Sequence, residues 1–293
     1  MANLKEIRNR IGSVKNTRKI TSAMSRIAAA RLRKAQNAMT RAQVYADRVT
    51  AMAREVVPGV AADIHPYLER RAVKRVGVVV VTADRGLCGG FNGGVGRSAQ
   101  SLIEQRRDAG QQVVVVAVGR KGAGFLRGRG IAVETVHTAP EPDTAVTLAK
   151  EVAASAFAMF GADEEQRVDE VVLIYNHFKN VLTQEVTQLT LLPVTSGADA
   201  DASSEKGPER VFEPSVPALL ATLLPLTVET HLQKAMFHSA AAEVAARRTA
   251  MDAATDNASE LIGELTLEYN RERQAAITKE LMEIIGGSEA LKS

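Results

Sequence analysis

The chain has 293 residues, of which 45% are apolar and 24% charged, with a net charge of +3, one cysteine and no tryptophan. Outside the long helices described below, the remaining residues are enough to form one ordinary domain and too few to form two large ones. The lone Cys88 excludes an internal disulfide and a cysteine-based zinc cluster. No apolar run approaches the roughly 18 residues of a membrane-spanning helix.

Residues 1–58 are predicted to form one long helix. Apolar side chains recur at three- and four-residue steps, beginning with Leu4, Ile7 and Ile11 and continuing, after one phase shift, to Pro58. This spacing lines one face of an α-helix. Such a helix is about 80 Å long at ~1.5 Å per residue, and an apolar stripe of that length needs a partner.

Residues 74–194 are predicted to form a Rossmann-like α/β domain. Four short β-branched runs alternate with helical stretches, which is typical of a mostly parallel sheet covered by helices. The runs lie at 76–82, 112–118, 131–136 and 170–175, and the helical stretches at 92–108, 120–127 and 143–160. A fifth strand at 185–192 follows the fourth too closely for a helical crossover, so we expect it to be antiparallel.

The last third of the chain is predicted to be a loop followed by a second long helix. Residues 195–213 are acidic, small and turn-rich, which favours a solvated loop. Helical spacing of apolar residues then extends over 214–287, where Pro225 is expected to kink the helix. Gly286 and Gly287 stand where a C-cap is expected.

The two long helices are predicted to pair as an antiparallel coiled coil. Residues 1–41 carry eleven basic residues and only one acidic residue, whereas six acidic residues stand at every fourth position from Asp252 to Glu272. A basic partner helix would relieve the repulsion within that acidic row, and two solvated faces are the alternative. We predict partners whose residue numbers sum to about 271, so that Ala23 lies opposite Arg248 and the turns from Arg271 onward extend past the first helix.

A glycine-rich segment at residues 84–96 is the one candidate nucleotide site. Gly94, Gly96 and Ala99 match the G-x-G-x-x-A spacing of dinucleotide-binding folds. The match lies about twelve residues past the preceding strand, and no acidic residue ends the next strand. We therefore predict a structural loop, and a nucleotide-binding α/β enzyme stays an alternative.

The remaining candidate residues do not indicate a catalytic, metal-binding or nucleic-acid-binding site. The histidines are scattered, Cys88 is interpreted as a small buried side chain, and the basic first helix lacks interleaved aromatic residues. The sequence therefore predicts no catalytic residue, no cofactor, no metal and no nucleic-acid partner. A non-rotary adaptor, that is, a protein that only joins other proteins through its coiled coil, is a further alternative.

Five segments, in order along nearly the whole chain, resemble the gamma subunit of bacterial F-type ATP synthases. They are NTRKITSAM (16–24), DRGLCGGFN (84–92), VFEPS (211–215), AMDAATDNA (250–258) and YNRERQAAITKELMEIIGG (269–287). The resemblance implies a non-catalytic rotor shaft that couples proton flow to conformational cycling of the catalytic β subunits. Its implied partners are three α and three β subunits, the ε subunit and the membrane c-ring, at the cytoplasmic face of the bacterial plasma membrane.

The resemblance also implies roles for residues of the second long helix. A contact with the catch region of a β subunit is expected at Arg273, Gln274 and Thr278. Beyond it, the apolar spacing and the resemblance together predict a tip that turns without strong directional bonds. The tip consists of Ile277, Leu281, Met282, Ile284 and Ile285.

Two further sets of residues are implied in the same way. Met24 lies in an N-terminal segment tied to coupling, and the basic residues Arg8, Arg10 and Lys19 of the same helix are expected to face acidic loops of β. A foot directed toward the c-ring is expected at Arg210, Phe212 and Glu213.

Overall fold

The computed structural model describes residues 2–57, 64–164, 166–195 and 215–290. The helices are α1 (Ala2–Val56), α2 (Phe91–Asp108), α3 (Arg120–Arg127), α4 (Ala145–Phe160) and α5 (Val216–Ala290). The strands are β1 (Arg75–Val81), β2 (Gln112–Val118), β3 (Thr135–His137), β4 (Glu170–Phe178) and β5 (Gln184–Leu192). A short 3-10 turn at Pro66–Leu68 precedes β1. Within these ranges, no helix is long and apolar enough to cross a membrane.

The five strands form one sheet in the order β3-β2-β1-β4-β5. β1 pairs in parallel with β2 and β4, β2 pairs in parallel with β3, and β5 pairs antiparallel to β4. The predicted α/β class, with terminal helices and a mostly parallel five-stranded sheet, is confirmed. The antiparallel last strand follows from its short connection, which leaves no room for a crossover helix.

The valine-rich strands bury both faces of the sheet. Val79 and Val81 pack with residues of α4 and α5 on one face, whereas Val78 and Val80 pack with α2 and α3 on the other. All four side chains are fully buried. Because successive side chains of a strand point to opposite faces, a continuous valine run is what a strand between two helical layers requires.

Two predicted element boundaries are wrong. The third strand is limited to Thr135–His137, because Ile131 closes the turn after α3 with a bond from its N–H to the Leu126 carbonyl (3.1 Å) and buries its side chain. The predicted C-cap at Gly286 and Gly287 is also wrong, since α5 continues to Ala290. A glycine inside a helix costs only about 1 kcal/mol, which does not by itself end the helix. α5 also continues through Pro225.

The chain forms two compact units, Met1–Ala28 with Arg248–Ser293, and Ala29–Arg247. We call the first the coiled-coil unit and the second the α/β unit. In the α/β unit, the remainder of α1 and the first part of α5 pack with the sheet. The four-part domain division predicted from the sequence (1–58, 74–194, 195–213 and 214–287) stays a prediction.

In the coiled-coil unit, α1 and α5 run antiparallel and are joined by small polar side chains. The hydroxyls of Thr21 and Thr255 hydrogen-bond at 2.7 Å, and the Ser25 hydroxyl donates to Asp252 Oδ1 at 2.5 Å. Ala23 therefore lies opposite the turn at 252–255, about one and a half turns from the predicted position at Arg248. The predicted register is wrong by that amount.

Charge does not set this register. Among the described side chains of the coiled-coil unit, no ion pair joins α1 to α5; Asp252 instead lies 3.8 Å from Arg248 on its own helix. The buried positions that face across the pair are small or aliphatic and include Ile7, Ala258 and Leu265. Hydroxyl contacts, one of them to the Asp252 carboxylate, and apolar packing thus determine which residues meet, while the acidic residues from Asp256 to Glu268 are exposed.

The observed register leads to a crosslinking prediction. Thr21→Cys with Thr255→Cys, in a Cys88→Ala background, is expected to form a disulfide on mild oxidation, because hydroxyls at 2.7 Å place the two Cβ atoms within reach of each other. The matched control is Ala23→Cys with Arg248→Cys, which we expect to stay reduced. Non-reducing gel mobility and a free-thiol assay measure the outcome. A disulfide in the control pair alone would contradict the register.

Candidate functional surfaces

The glycine-rich segment forms a closed loop between β1 and α2. The Asn92 side chain accepts a bond from the Ala83 N–H (2.9 Å) and donates to the Arg85 carbonyl (3.2 Å). Cys88 is buried, as predicted, and packs with apolar residues of α1 and α5 in the α/β unit. From α5, Arg247 donates to the Gly86 carbonyl at 2.8 Å. The polar groups of the loop thus hold the loop itself and fasten it to a helix.

The N-terminus of α3 has its backbone donors occupied. The N–H of Arg120 bonds Asp84 Oδ1 (2.8 Å), that of Lys121 bonds the Ala83 carbonyl (3.0 Å), and that of Gly122 bonds Thr82 Oγ1 (2.9 Å). A phosphate at a helix N-terminus needs these donors free. This end of α3 is therefore occupied by the strand end and loop that precede it.

The glycines of the apparent dinucleotide motif serve helix packing. Gly94 and Gly96 both lie inside α2. A Cβ at Gly96 would lie 2.6 Å from the Phe125 ring, and one at Gly94 would lie 3.3 Å from a methyl group of Val186. These glycines allow α3 and β5 to approach α2, and their spacing matches a phosphate-binding turn by coincidence.

The predicted catch residues are exposed on the coiled-coil unit. Arg273, Gln274 and Thr278 all lie on the outer surface of α5. The Thr278 hydroxyl donates to the Gln274 carbonyl at 2.9 Å, which places these two residues on one face, as predicted. Because this hydroxyl is used within its own helix, Arg273 and the Gln274 amide are the groups of the set whose donors have no partner among the described residues.

The residues that follow form an exposed apolar end of α5. Its large side chains are 47–72% exposed. They are the predicted tip residues Ile277, Leu281, Met282, Ile284 and Ile285. Exposed apolar side chains at this density mark a surface that contacts another protein or a ligand.

The predicted coupling segment lies on α1, with Arg8 and Lys19 on one side of the helix and Arg10 about 180° around the helix from Lys19. Arg8, Arg10 and Lys19 are exposed, and Met24 is half-buried. Lys19 lines a shallow groove with further basic, small and apolar residues of α1 and α5. The groove is lined by Arg18, Lys19, Ser22, Ala23, Arg26, Ile27, Thr255 and Ser259.

The sequence argument missed part of this surface. Arg18 and Arg26 are among the eleven basic residues of the first helix, and the spacing of apolar residues along that helix predicts Ile27 in the apolar seam. Ile20 and Ile27 are in fact 60% and 56% exposed. The phase shift near residue 20 was the available signal, because a break in helical periodicity turns apolar residues away from the seam. The predicted foot residues Arg210, Phe212 and Glu213 lie outside the described residues.

The histidines do not form a metal site. In the described part of the chain, no group of three or more His, Cys, Asp or Glu side chains is arranged to hold a metal ion. His231 of α5 instead contacts α1, with its Nε2 atom 3.1 Å from the Thr50 hydroxyl. Burial, followed by the charges of Lys234 and Arg54, lowers the pKa of His231 to about 4.

This pKa leads to a prediction for stability. The unfolded chain takes up a proton at His231 near pH 6.5 and the folded chain only near pH 4, so stability is lost as pH falls between these values. We expect His231→Gln to remove a pH-dependent loss on the order of 3 kcal/mol. Urea unfolding of the wild type and the variant at pH 7 and pH 4.5 measures the free energy of unfolding of each. An equal loss of stability in the wild type and the variant would contradict the assignment.

The fold and surfaces define an α/β protein whose long terminal helices pair antiparallel and end in an exposed apolar segment. The ATP synthase family model matches residues 3–291. The chain therefore belongs to the ATP synthase gamma-chain family, whose members form the central rotor stalk of the F-type enzyme.

Curated relatives and solved structures agree with this membership. The ATP synthase gamma chain of Trichlorobacter lovleyi is 42% identical over 295 residues, and that of Geobacter sp. strain M21 is 44% identical, each covering 100% of both chains. A chain of the Euglena gracilis mitochondrial ATP synthase, in an OSCP/F1/c-ring structure, has a TM-score of 0.67 at 17% identity and covers 99% of this chain and 95% of its own. A chain of the Tetrahymena thermophila central stalk and c-ring has a TM-score of 0.57 at 23% identity, covering 80% of this chain and 99% of its own.

Proposed function

We propose that this chain is the rotor shaft that couples proton flow through a membrane ring to the conformational cycle of three catalytic β subunits. The observation that carries the proposal is the exposed apolar end of α5, on a chain that matches gamma chains over its full length. An apolar end can turn inside a ring because it makes few directional bonds with the surrounding wall.

The chain acts without bond chemistry of its own. An asymmetric shaft inside a threefold ring touches each β subunit differently, so each rotor angle gives the three nucleotide sites different conformational energies. By linkage, nucleotide binding drives the shaft as strongly as the shaft biases binding. The occupied backbone donors at the N-terminus of α3 support this non-catalytic role.

The polar residues just before the apolar end provide the contact that changes during rotation. Arg273 is exposed and can bond a carboxylate of one β subunit bidentately, with Gln274 beside it. On α1, the basic groove that contains Lys19 and Arg26 offers an acidic loop of β a second contact. Arg8 extends this basic side of α1, whereas Arg10 and Met24 lie about 180° and 140° around the helix from Lys19 and form a separate part of the proposed coupling segment.

Three α subunits, three β subunits, the ε subunit and a c-ring complete the proposed assembly. The Euglena structure contains F1 and a c-ring, and the Tetrahymena structure contains the central stalk and a c-ring. The foot residues Arg210, Phe212 and Glu213 are proposed to meet the c-ring. The chain then associates with the membrane through the complex, at the cytoplasmic face of a bacterial plasma membrane.

Co-purification tests the proposal. The tagged full-length chain, expressed with α and β subunits of a bacterial F-type enzyme, is expected to recover α and β in threefold molar excess with ATP hydrolysis. A stable complex that neither hydrolyses nor makes ATP would favour the adaptor alternative. Binding of NADH or ATP by the isolated chain in equilibrium dialysis, abolished by Gly94→Ala, would favour the enzyme alternative.

A further inference from the structure

Two histidine rings stack between α5 and β4 in the interior of the α/β unit. The ring centroids of His177, on β4, and His238, on α5, are 4.1 Å apart, and the ring planes make an angle of 19°. His238 is 2% exposed, whereas His177 is half-buried. Among the described residues, neither ring nitrogen of His238 has a partner with good hydrogen-bond geometry, although the Phe178 backbone lies near the ring. A buried polar group without a partner is costly, so this contact needs an explanation beyond packing.

The charged groups around the stack are already paired with one another. Asp47 of α1 lies 3.0 Å from Lys234 of α5, and Glu185 of β5 lies 2.5 Å from Lys179, which follows β4. The remaining titratable neighbour, Tyr175, meets the His177 ring edge-on at 6.3 Å. Both nearby carboxylates thus have a lysine partner, and a proton on either imidazole would add positive charge beside Lys234, buried in the case of His238.

We propose that the His177–His238 stack is a pH-sensitive latch that holds α5 on β4 while both rings are neutral and releases when either ring is protonated. This histidine latch joins the sheet to a long helix within one compact unit. The inference rests on the stack, its burial and its paired surroundings, and it does not depend on the proposed function.

The direction of the pH response follows from the ring environments. Burial, then His177 and Lys234, lowers the pKa of His238 to about 4, while the Phe178 backbone and Asp47 oppose the shift. Burial, then Lys234, also lowers the pKa of His177, with Glu185 opposing. Free imidazole titrates near pH 6.5, so the latch is closed above that pH and opens as pH falls toward 4.

Hydrogen exchange of the full-length chain tests the latch. At pH 7.5 and pH 5, after correction for the intrinsic pH dependence of exchange, we expect protection of the β4 peptide around 176–178 to fall at least about fivefold at the lower pH. His238→Gln removes one ring and with it the stack, so protection of this peptide should no longer differ between the two pH values. His137→Gln is the matched control, because His137 lies on β3, away from the stack, and its replacement should retain the wild-type response.

A second variant is expected to reverse the direction in which protection changes with pH. In His238→Glu, a carboxylate faces His177, so protonation of His177 creates an ion pair and protection should rise as pH falls. NMR of the chain with ¹³C-labelled histidine follows the rings directly. We expect the His177 pKa below 6.5 in the wild type and above it in His238→Glu. Titration of His177 near 6.5 in both, or equal loss of protection in the wild type and His238→Gln, would overturn the proposal.

Discussion

Gly119→Ala is expected to destabilise the protein by roughly 3 to 5 kcal/mol. Gly119 joins β2 to α3 with φ at +94°, and a Cβ there would lie 2.3 Å from the Thr82 carbonyl oxygen. Thr82 cannot move away easily, because its N–H bonds the Val118 carbonyl at 2.7 Å and its hydroxyl accepts the Gly122 N–H. Backbone strain and a backbone collision thus occur at the same position.

The matched control is Gly110→Ala, at the turn between α2 and β2. Gly110 also has a positive φ, +76°, but a Cβ there would meet nothing within 4 Å. We expect it to cost about 1 kcal/mol from backbone strain alone. Urea unfolding of the full-length variants measures both. Equal losses of stability would show that the contact with Thr82 has no energetic role.

Arg273→Ala with Gln274→Ala is expected to lower ATP hydrolysis and proton coupling several-fold in the assembled complex. Both side chains are exposed, and the structure gives no hydrogen bond or ion pair for Arg273 among the described residues. A charged hydrogen bond to a β carboxylate contributes about 1.5 to 3 kcal/mol. Because the proposed bond would form with one β subunit at a time, its loss should change rotation and leave the fold intact.

The control for this pair is Arg271→Ala, another exposed arginine on the same helix, two residues earlier. It should leave hydrolysis and coupling near the wild-type level, and all variants should assemble with normal helix content. Hydrolysis and ATP-driven proton pumping in inverted vesicles give the two readouts. Wild-type rates in the double variant, assembled normally, would remove Arg273 and Gln274 from the proposed β contact.

The sheet could be predicted from the sequence because its signal is local. Valine runs such as 76–82 and 112–118 are long enough to identify buried strands, and the helices between them require parallel pairing. β3 was predicted too long, because the β-branched residues from Ile131 onward first complete a turn after α3. Local propensity identifies an element more reliably than its ends.

The helix register could not be predicted because it depends on contacts between distant residues. A row of acids every fourth position suggested pairing by charge, but exposed ion pairs contribute little. The hydroxyl of Thr21 and that of Thr255 determine the local register instead, and neither stands out in a sequence. The surface residues Ile20 and Ile27 were missed for a related reason, since apolar residues of a coiled coil are first assigned to its seam.

For the glycine-rich segment, the sequence gives the spacing of the motif but not the hydrogen bonds that surround it in the fold. The spacing of Gly94, Gly96 and Ala99 is a property of the sequence, and the helical stretch predicted at 92–108 contains it, as α2 does. The occupied backbone donors of α3 could not be inferred, because they depend on Asp84 and Thr82 contacting α3, which lies further along the chain than α2. Only the folded chain brings these groups together.

Single-molecule rotation tests the rotor account most directly. In a Cys88→Ala background, Leu182→Cys places a thiol at an 80% exposed position between β4 and β5, where a bead can be attached. With α and β subunits assembled on a surface through β, ATP should drive the bead in one direction, in three steps of about 120° per turn. A bead that only fluctuates while the same complexes hydrolyse ATP would contradict the account.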